Sequence, residues 1–123
     1  VLARSRGAGG DPSVRQRVAQ AFIEAQVFRL NGLRALSRPA GAPGPEASLT
    51  KLYWSEMDKR LQETAIAVQG PYGALDPDSP WALEAGRWQY GWLWSQAETI
   101  YAGSSEIQRN IIAERVLGLP RGR

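Results

Sequence analysis

Apolar positions recur at three- and four-residue steps through most of the chain, the period of helices with one face turned inward. Val14, Val18, Ala21, Phe22, Ala25, Phe28, Leu33 and Leu36 form the first such stripe, with Arg15, Arg17, Glu24 and Arg34 mostly off it. Asp11-Pro12 supplies an N-cap and a proline at the first helical position, so a helix is predicted from about Pro12 to Ser37. Leu49, Leu52, Tyr53, Met57, Leu61 and Val68 form a second stripe. Its wet side is expected to carry Lys51, Glu56, Asp58, Lys59, Arg60 and Glu63. Pro45 or Ser48 opens this helix and Gly70-Pro71 closes it.

A third helix is predicted from Ser79-Pro80 through Trp81, Trp88, Tyr90, Trp92, Trp94 and Ile100. Trp92 and Trp94 lie about 200° apart on a helical wheel, so one of them is expected to meet another element or another chain. Gly103, able to take left-handed angles, ends this helix, and Ser104 or Ser105 caps a fourth. Ile107, Ile111 and Val116 mark the face of the fourth helix expected to be buried, and Gly118 and Pro120 stop it. Arg38 to Glu46, with three prolines, reads as a connector, and Tyr72 to Ser79 as a turn-rich loop. No strand alternation and no repeat interrupts the series. The order of elements predicts an all-α, antiparallel (up-and-down) four-helix-bundle type. Residues 1–10 are expected to be a flexible lead-in, and 11–121 a single helical domain.

Composition narrows the chemistry. With no cysteine and no histidine among 123 residues, disulfides, thiolates and His-activated nucleophiles are excluded. The twelve carboxylates are scattered, so no metal site is expected. The net charge of +3 comes from mixed signs along the helices, without a basic stripe for nucleic acid. No apolar run reaches the roughly 20 residues that cross a bilayer, so no membrane partner is expected. Val1-Leu-Ala-Arg-Ser-Arg6 lacks a signal peptide's apolar core and an initiator Met. A cytoplasmic protein, whose chain starts part-way through a longer one, is the expectation.

The chemically suggestive stretch is the Gly103-Ser-Ser105 corner, where a helix ends and another begins. Such a corner offers free N–H groups and the positive end of a helix, with Glu106 in the first turn. By spacing alone it is also an ordinary capped helix–helix turn. Its wording goes further. Tyr101-Ala-Gly-Ser-Ser-Glu-Ile-Gln-Arg-Asn-Ile-Ile-Ala-Glu-Arg-Val-Leu-Gly-Leu-Pro-Arg121 resembles the C-terminal signature of the FAD-dependent acyl-CoA dehydrogenases. Asp11 to Ala19, Ile23 to Ala25, Leu33 to Ser37, Pro45 to Leu52 and Gly86-Arg-Trp88 are also similar to that family's C-terminal helical domain.

The resemblance implies such a domain with the family's first bundle helix missing. It implies α,β-dehydrogenation of an acyl-CoA thioester: a carboxylate takes the α proton and FAD the β hydride. FAD belongs to the full-length enzyme and is not expected to stay on this chain alone. Implied partners are acyl-CoA, electron-transfer flavoprotein or a similar acceptor, and a homo- or hetero-oligomer; the implied setting is fatty acid metabolism. No catalytic side chain is carried over, because Ala102 stands where many relatives have the Glu base. The Ala102 N–H is expected to hold the thioester carbonyl, and Gly70, Gly103, Ser104 and Glu106 to contact FAD. Pro71 stands where the family usually has a second glycine and lacks an N–H. Ala102 and Pro71 together motivate an alternative, a non-catalytic partner subunit or assembly module. A helical interaction domain without a ligand is the third reading. Glu98 and Glu106 are expected to be surface or capping charges. A bundle short of a helix is expected to self-associate, or to fold residues 1–10 into the gap.

Overall fold

The computed structural model describes residues 2–37 and 46–121, and all the regular elements among them are helical. The long helices are α2 (Pro12–Leu36), α3 (Glu46–Gln69), α4 (Arg87–Glu98) and α5 (Ser105–Arg115), preceded by the short α1 (Leu2–Ser5). The expected Arg38–Glu46 connector and a start at Pro45 lie outside the described residues, save for Glu46.

Local chemistry sets the ends. The Asp11 side chain accepts from the Ser13 N–H at 2.7 Å and caps α2, with Pro12 in the first turn. Gly70, at φ +58°, closes α3. The predicted start of the third helix is corrected. Ser79 Oγ accepts from the Trp81 N–H in a local turn rather than capping a helix. Glu84, Ala85 and Gly86 then take left-handed angles, so α4 begins only at Arg87. A Cβ on Gly86 would stand 2.2 Å from the Pro77 carbonyl oxygen, so this bend requires glycine. Trp81 is left outside any helix and exposed.

Helix α3 is the axis of the molecule, packed against α2, α4 and α5. Helix α2 runs antiparallel to it: Phe28 stacks on Tyr53, and the Tyr53 hydroxyl donates to the Glu24 carbonyl at 3.2 Å. Arg60 Nε meets Glu24 Oε1 at 3.1 Å further along the same pair. Helix α5 crosses the N-terminal half of α3, where Arg109 pairs with Glu56.

The buried faces differ from the apolar stripes. Among the described residues the buried apolar side chains are Val14, Ala65 and Val68. Phe22, Leu33 and Leu36 on α2, and Ile107 and Val116 at α5, are exposed; Ser105 and Gln108 are the buried residues of α5. The fully buried Ser55 and Ser95 lie on α3 and α4, each bonding the carbonyl three residues back on its own helix. Such small, self-satisfied groups suit the interior of closely packed helices. Because α3 is covered on several sides, Lys51, Glu56 and Asp58 are half-buried rather than on a wet face. Trp92 and Trp94 both remain partly exposed.

Residues 2–10, expected as a lead-in, contain α1 and a 3₁₀ turn at Ala8–Gly10, and α1 packs on α3. Leu2 and Ala3 border a cavity of about 440 Å³ with Val18, Leu61, Val68 and Trp88. Arg6 lies over the Tyr72 ring, 4.6 Å from its centre. The N-terminal segment therefore occupies part of the apolar groove beside α2 and α3.

Candidate functional site

Helix α4 ends at Glu98, and the chain turns through Thr99–Ser104 before α5. Ala102 and Gly103 both have positive φ, +54° and +89°. Ser105 N–H donates back to the Thr99 carbonyl at 2.9 Å, closing the corner on itself. Ser104 is the N-cap, its Oγ accepting from the Ile107 N–H at 3.4 Å. Glu106 follows in the first turn, where its own N–H and the Ser104 hydroxyl hold its carboxyl below the usual range. Arg109 and Lys51 add smaller pulls in the same direction.

Two side chains hold the corner from within. Lys51 Nζ donates to the Glu98 carbonyl at 3.0 Å and to the Gly103 carbonyl at 2.7 Å. Gln108 Nε2 donates to the Ala102 carbonyl at 3.0 Å. The amides of Ala102 and Gly103 have no hydrogen-bond acceptor among the described residues. Tyr101 and Ala102 are exposed, and a cavity of about 400 Å³ beside the corner is bordered by Glu56, Ser104, Glu106 and Arg109. The corner is thus a surface feature with free donors.

Of the residues singled out in the sequence, Ala102, Gly103, Ser104 and Glu106 come together here. Gly70 does not: it closes the far end of α3, 19 residues beyond Lys51, or roughly 28 Å along the helix axis. Pro71 opens the 3₁₀ turn Gly70–Ala74, whose Tyr72 carbonyl accepts from Gln89 Nε2 at 2.9 Å.

Glu98 departs from its expected place at the surface. It is 5% exposed, and its Oε2 has no hydrogen-bond partner. Burial, then the charge and hydrogen bond of Asp58, push its carboxyl up to about 6, while Lys51 pulls the other way. Lys51 and Asp58 escaped the sequence reading because their partners lie some forty to fifty residues away, beyond any local pattern. Gln108 lies close enough to be found, six residues after Ala102, but its role depends on the turn between them. Tyr90, Trp94 and Tyr101 form a file of exposed rings leading to the corner, with neighbouring centres 6.4 Å apart.

A helical domain built on one axial helix, ending in a corner with free amides, is the class that fold and site define. The family model described as "Acyl-CoA dehydrogenase, C-terminal domain" matches residues 2–117, and the chain belongs to that family. It is 42% identical over 120 residues to the acyl-CoA dehydrogenase IpdE1 of Mycobacterium tuberculosis, covering 98% of this chain and 30% of that protein. Against the acyl-CoA dehydrogenase FadE26 of the same organism it is 30% identical, over 88% of this chain and 28% of the relative. Among solved structures, the ChsE4-ChsE5 complex from Mycobacterium tuberculosis superposes with a TM-score of 0.81 at 29% identity, over 93% of this chain and 29% of the other. The Tcur3481-Tcur3483 steroid ACAD gives 0.86 at 28% identity, over 98% and 32%. The chain therefore spans about 30% of the length of the curated relatives it matches. Among the described residues no helix is long and apolar enough to cross a membrane, and no group of His, Cys, Asp or Glu could hold a metal ion.

Proposed function

We propose that this chain is the C-terminal domain of a flavoprotein acyl-CoA dehydrogenase, binding flavin and thioester at the Ala102–Glu106 corner. The observation that carries the reading is the pair of free amides at Ala102 and Gly103, in a corner whose Ser104 and Glu106 border a cavity, within the domain the family model matches. The donors suit a thioester carbonyl. Polarising that carbonyl acidifies the α proton, as an oxyanion hole stabilises developing charge. The Ser104 hydroxyl accepts from the Ile107 N–H and serves the Glu106 carboxyl, so these two side chains present one polar edge to a ligand. Glu106, held ionised, is available as an acceptor. FAD, when bound, supplies the site that receives the β hydride.

The α proton needs an acceptor. Ala102 offers a methyl group, and the Glu98 carboxyl is enclosed beside Asp58, 5% exposed, rather than turned to the surface where a ligand would lie. The base therefore comes from a part of the enzyme outside this chain. The similarity to the Tcur3481-Tcur3483 steroid ACAD supports a steroid-derived acyl-CoA as the substrate class.

The second reading, a subunit that completes a partner's site without chemistry of its own, is favoured by Ala102 and Pro71. The two-component relatives, ChsE4-ChsE5 and Tcur3481-Tcur3483, point the same way. The exposed rings of Tyr90, Trp94 and Trp81 suit the surface of a subunit contact under either reading.

The test is the longer gene product carrying the upstream sequence, purified alone and with a candidate partner subunit. Flavin absorbance that bleaches on adding acyl-CoA supports the dehydrogenase. Absence of both, in both preparations, overturns it. Turnover by the purified homo-oligomer excludes the non-catalytic reading.

A further inference from the structure

A trans peptide points its C=O and its N–H in opposite directions. Fixing the carbonyl of one residue therefore aims the amide of the next. Gln108, 7% exposed, holds the Ala102 carbonyl toward the interior. The Gly103 N–H on the same peptide must then face away from Gln108. Lys51 likewise holds the Gly103 carbonyl, so the Ser104 N–H faces away from α3. The second Lys51 bond, to the Glu98 carbonyl, ties that clamp to the last turn of α4. Neither the Gly103 nor the Ser104 amide has an acceptor among the described residues.

We propose that Lys51 and Gln108 are positioning residues which together aim the Gly103 and Ser104 amides outward, toward an electronegative ligand oxygen. The inference rests on the proposed ligand-binding role of the corner and assigns two residues not included in that role. Side chains must supply this hold, because the corner's left-handed angles take its carbonyls out of helical hydrogen bonding. Successive amides on one side of such a bend form an anion-seeking concavity. The identity of residue 103 is tied to the same arrangement. A Cβ there would lie 2.6 Å from Gln108 Nε2, so a side chain at 103 would push the glutamine amide off the Ala102 carbonyl.

The variants that test this are Lys51→Met, Lys51→Arg and Gln108→Leu. In the ¹⁵N-labelled chain, the Gly103 and Ser104 amides are expected to exchange quickly with water and to give single sharp signals. In Lys51→Met the Ser104 signal, and in Gln108→Leu the Gly103 signal, is expected to broaden or split as its peptide turns freely. Lys51→Arg, which keeps a charged donor, is expected to restore the Ser104 signal. Exchange-protected amides in the parent chain overturn the proposal, as do unchanged signals in Lys51→Met and Gln108→Leu.

In the full-length flavoenzyme, each of these two variants is expected to weaken kcat/KM for acyl-CoA roughly tenfold, the effect of one lost charge-assisted or buried hydrogen bond. Flavin content and melting temperature serve as controls for folding. A kcat/KM equal to the parent's in both variants also overturns the positioning role. A parent enzyme without flavin overturns the dehydrogenase reading instead, and the amide measurement still decides the role of Lys51 and Gln108.

Discussion

Replacing Glu98 by glutamine separates the cost of a buried charge from everything else in this fold. The carboxyl is 5% exposed, lies beside Asp58 and leaves one oxygen unbonded. Its titration is raised from an ordinary 4.5 to about 6, first by burial and then by Asp58. Between those values the folded chain keeps a proton that the unfolded chain has released. Stability therefore falls as pH rises through this window, and the whole penalty is present above pH 6. A difference of that size corresponds to about 2 kcal/mol. Glutamine copies the protonated form: it is uncharged, has the same shape, and can donate to the Asp58 carboxylate. Glu98→Gln is thus expected to match the parent near pH 4.5 and to exceed it by up to about 2 kcal/mol at pH 7.5. Urea unfolding followed by tryptophan emission at several pH values measures this directly. The window is favourable because the chain has no histidine to titrate within it. A variant less stable than the parent at pH 7.5, or a parent whose stability rises from pH 4.5 to 6.5, refutes the reasoning.

Two further substitutions probe the frame that carries the corner. Gly86→Ala brings both a left-handed penalty and a clash with the Pro77 backbone, and is expected to cost about 2–5 kcal/mol in urea unfolding. Gly32→Ala, in the interior of α2 with open space around its Cα, is expected to gain about 0.5–1 kcal/mol in the same assay. Equal effects of the two would refute the account of the α4 start. Arg60→Met strips the nearly buried Glu24 of its guanidinium partner; because Arg60 is itself half-exposed, a loss of about 1–3 kcal/mol is expected. Adding Glu24→Gln should recover most of that loss, and a neutral Arg60→Met would show that water already serves the carboxylate.

What the sequence made legible and what it hid follow one physical division. The Asp11 cap, the Gly70 stop and the Ser104 cap are decided within a few residues, by backbone donors and side chains already adjacent in the chain. Helix burial is decided by what lies across from a helix. Here α3 packs against each of the other long helices, so burial on α2 and α5 depends largely on which residues meet that axis. Val14 meets neighbours at the start of α2, while Phe22 and Leu33, on the same predicted stripe, face outward. Periodicity cannot distinguish these, because it reports that a helix has an apolar face without saying which part of it is covered. The converse holds for α3. Its charged residues read as a solvated face, yet Lys51 reaches the corner and Asp58 meets Glu98, because α4 and α5 cover that side. Apolar rings left at the surface and polar groups drawn inside describe a domain whose interior is organised around hydrogen bonds. Its outer faces, by the same reasoning, are the parts most suited to contact with other protein surfaces.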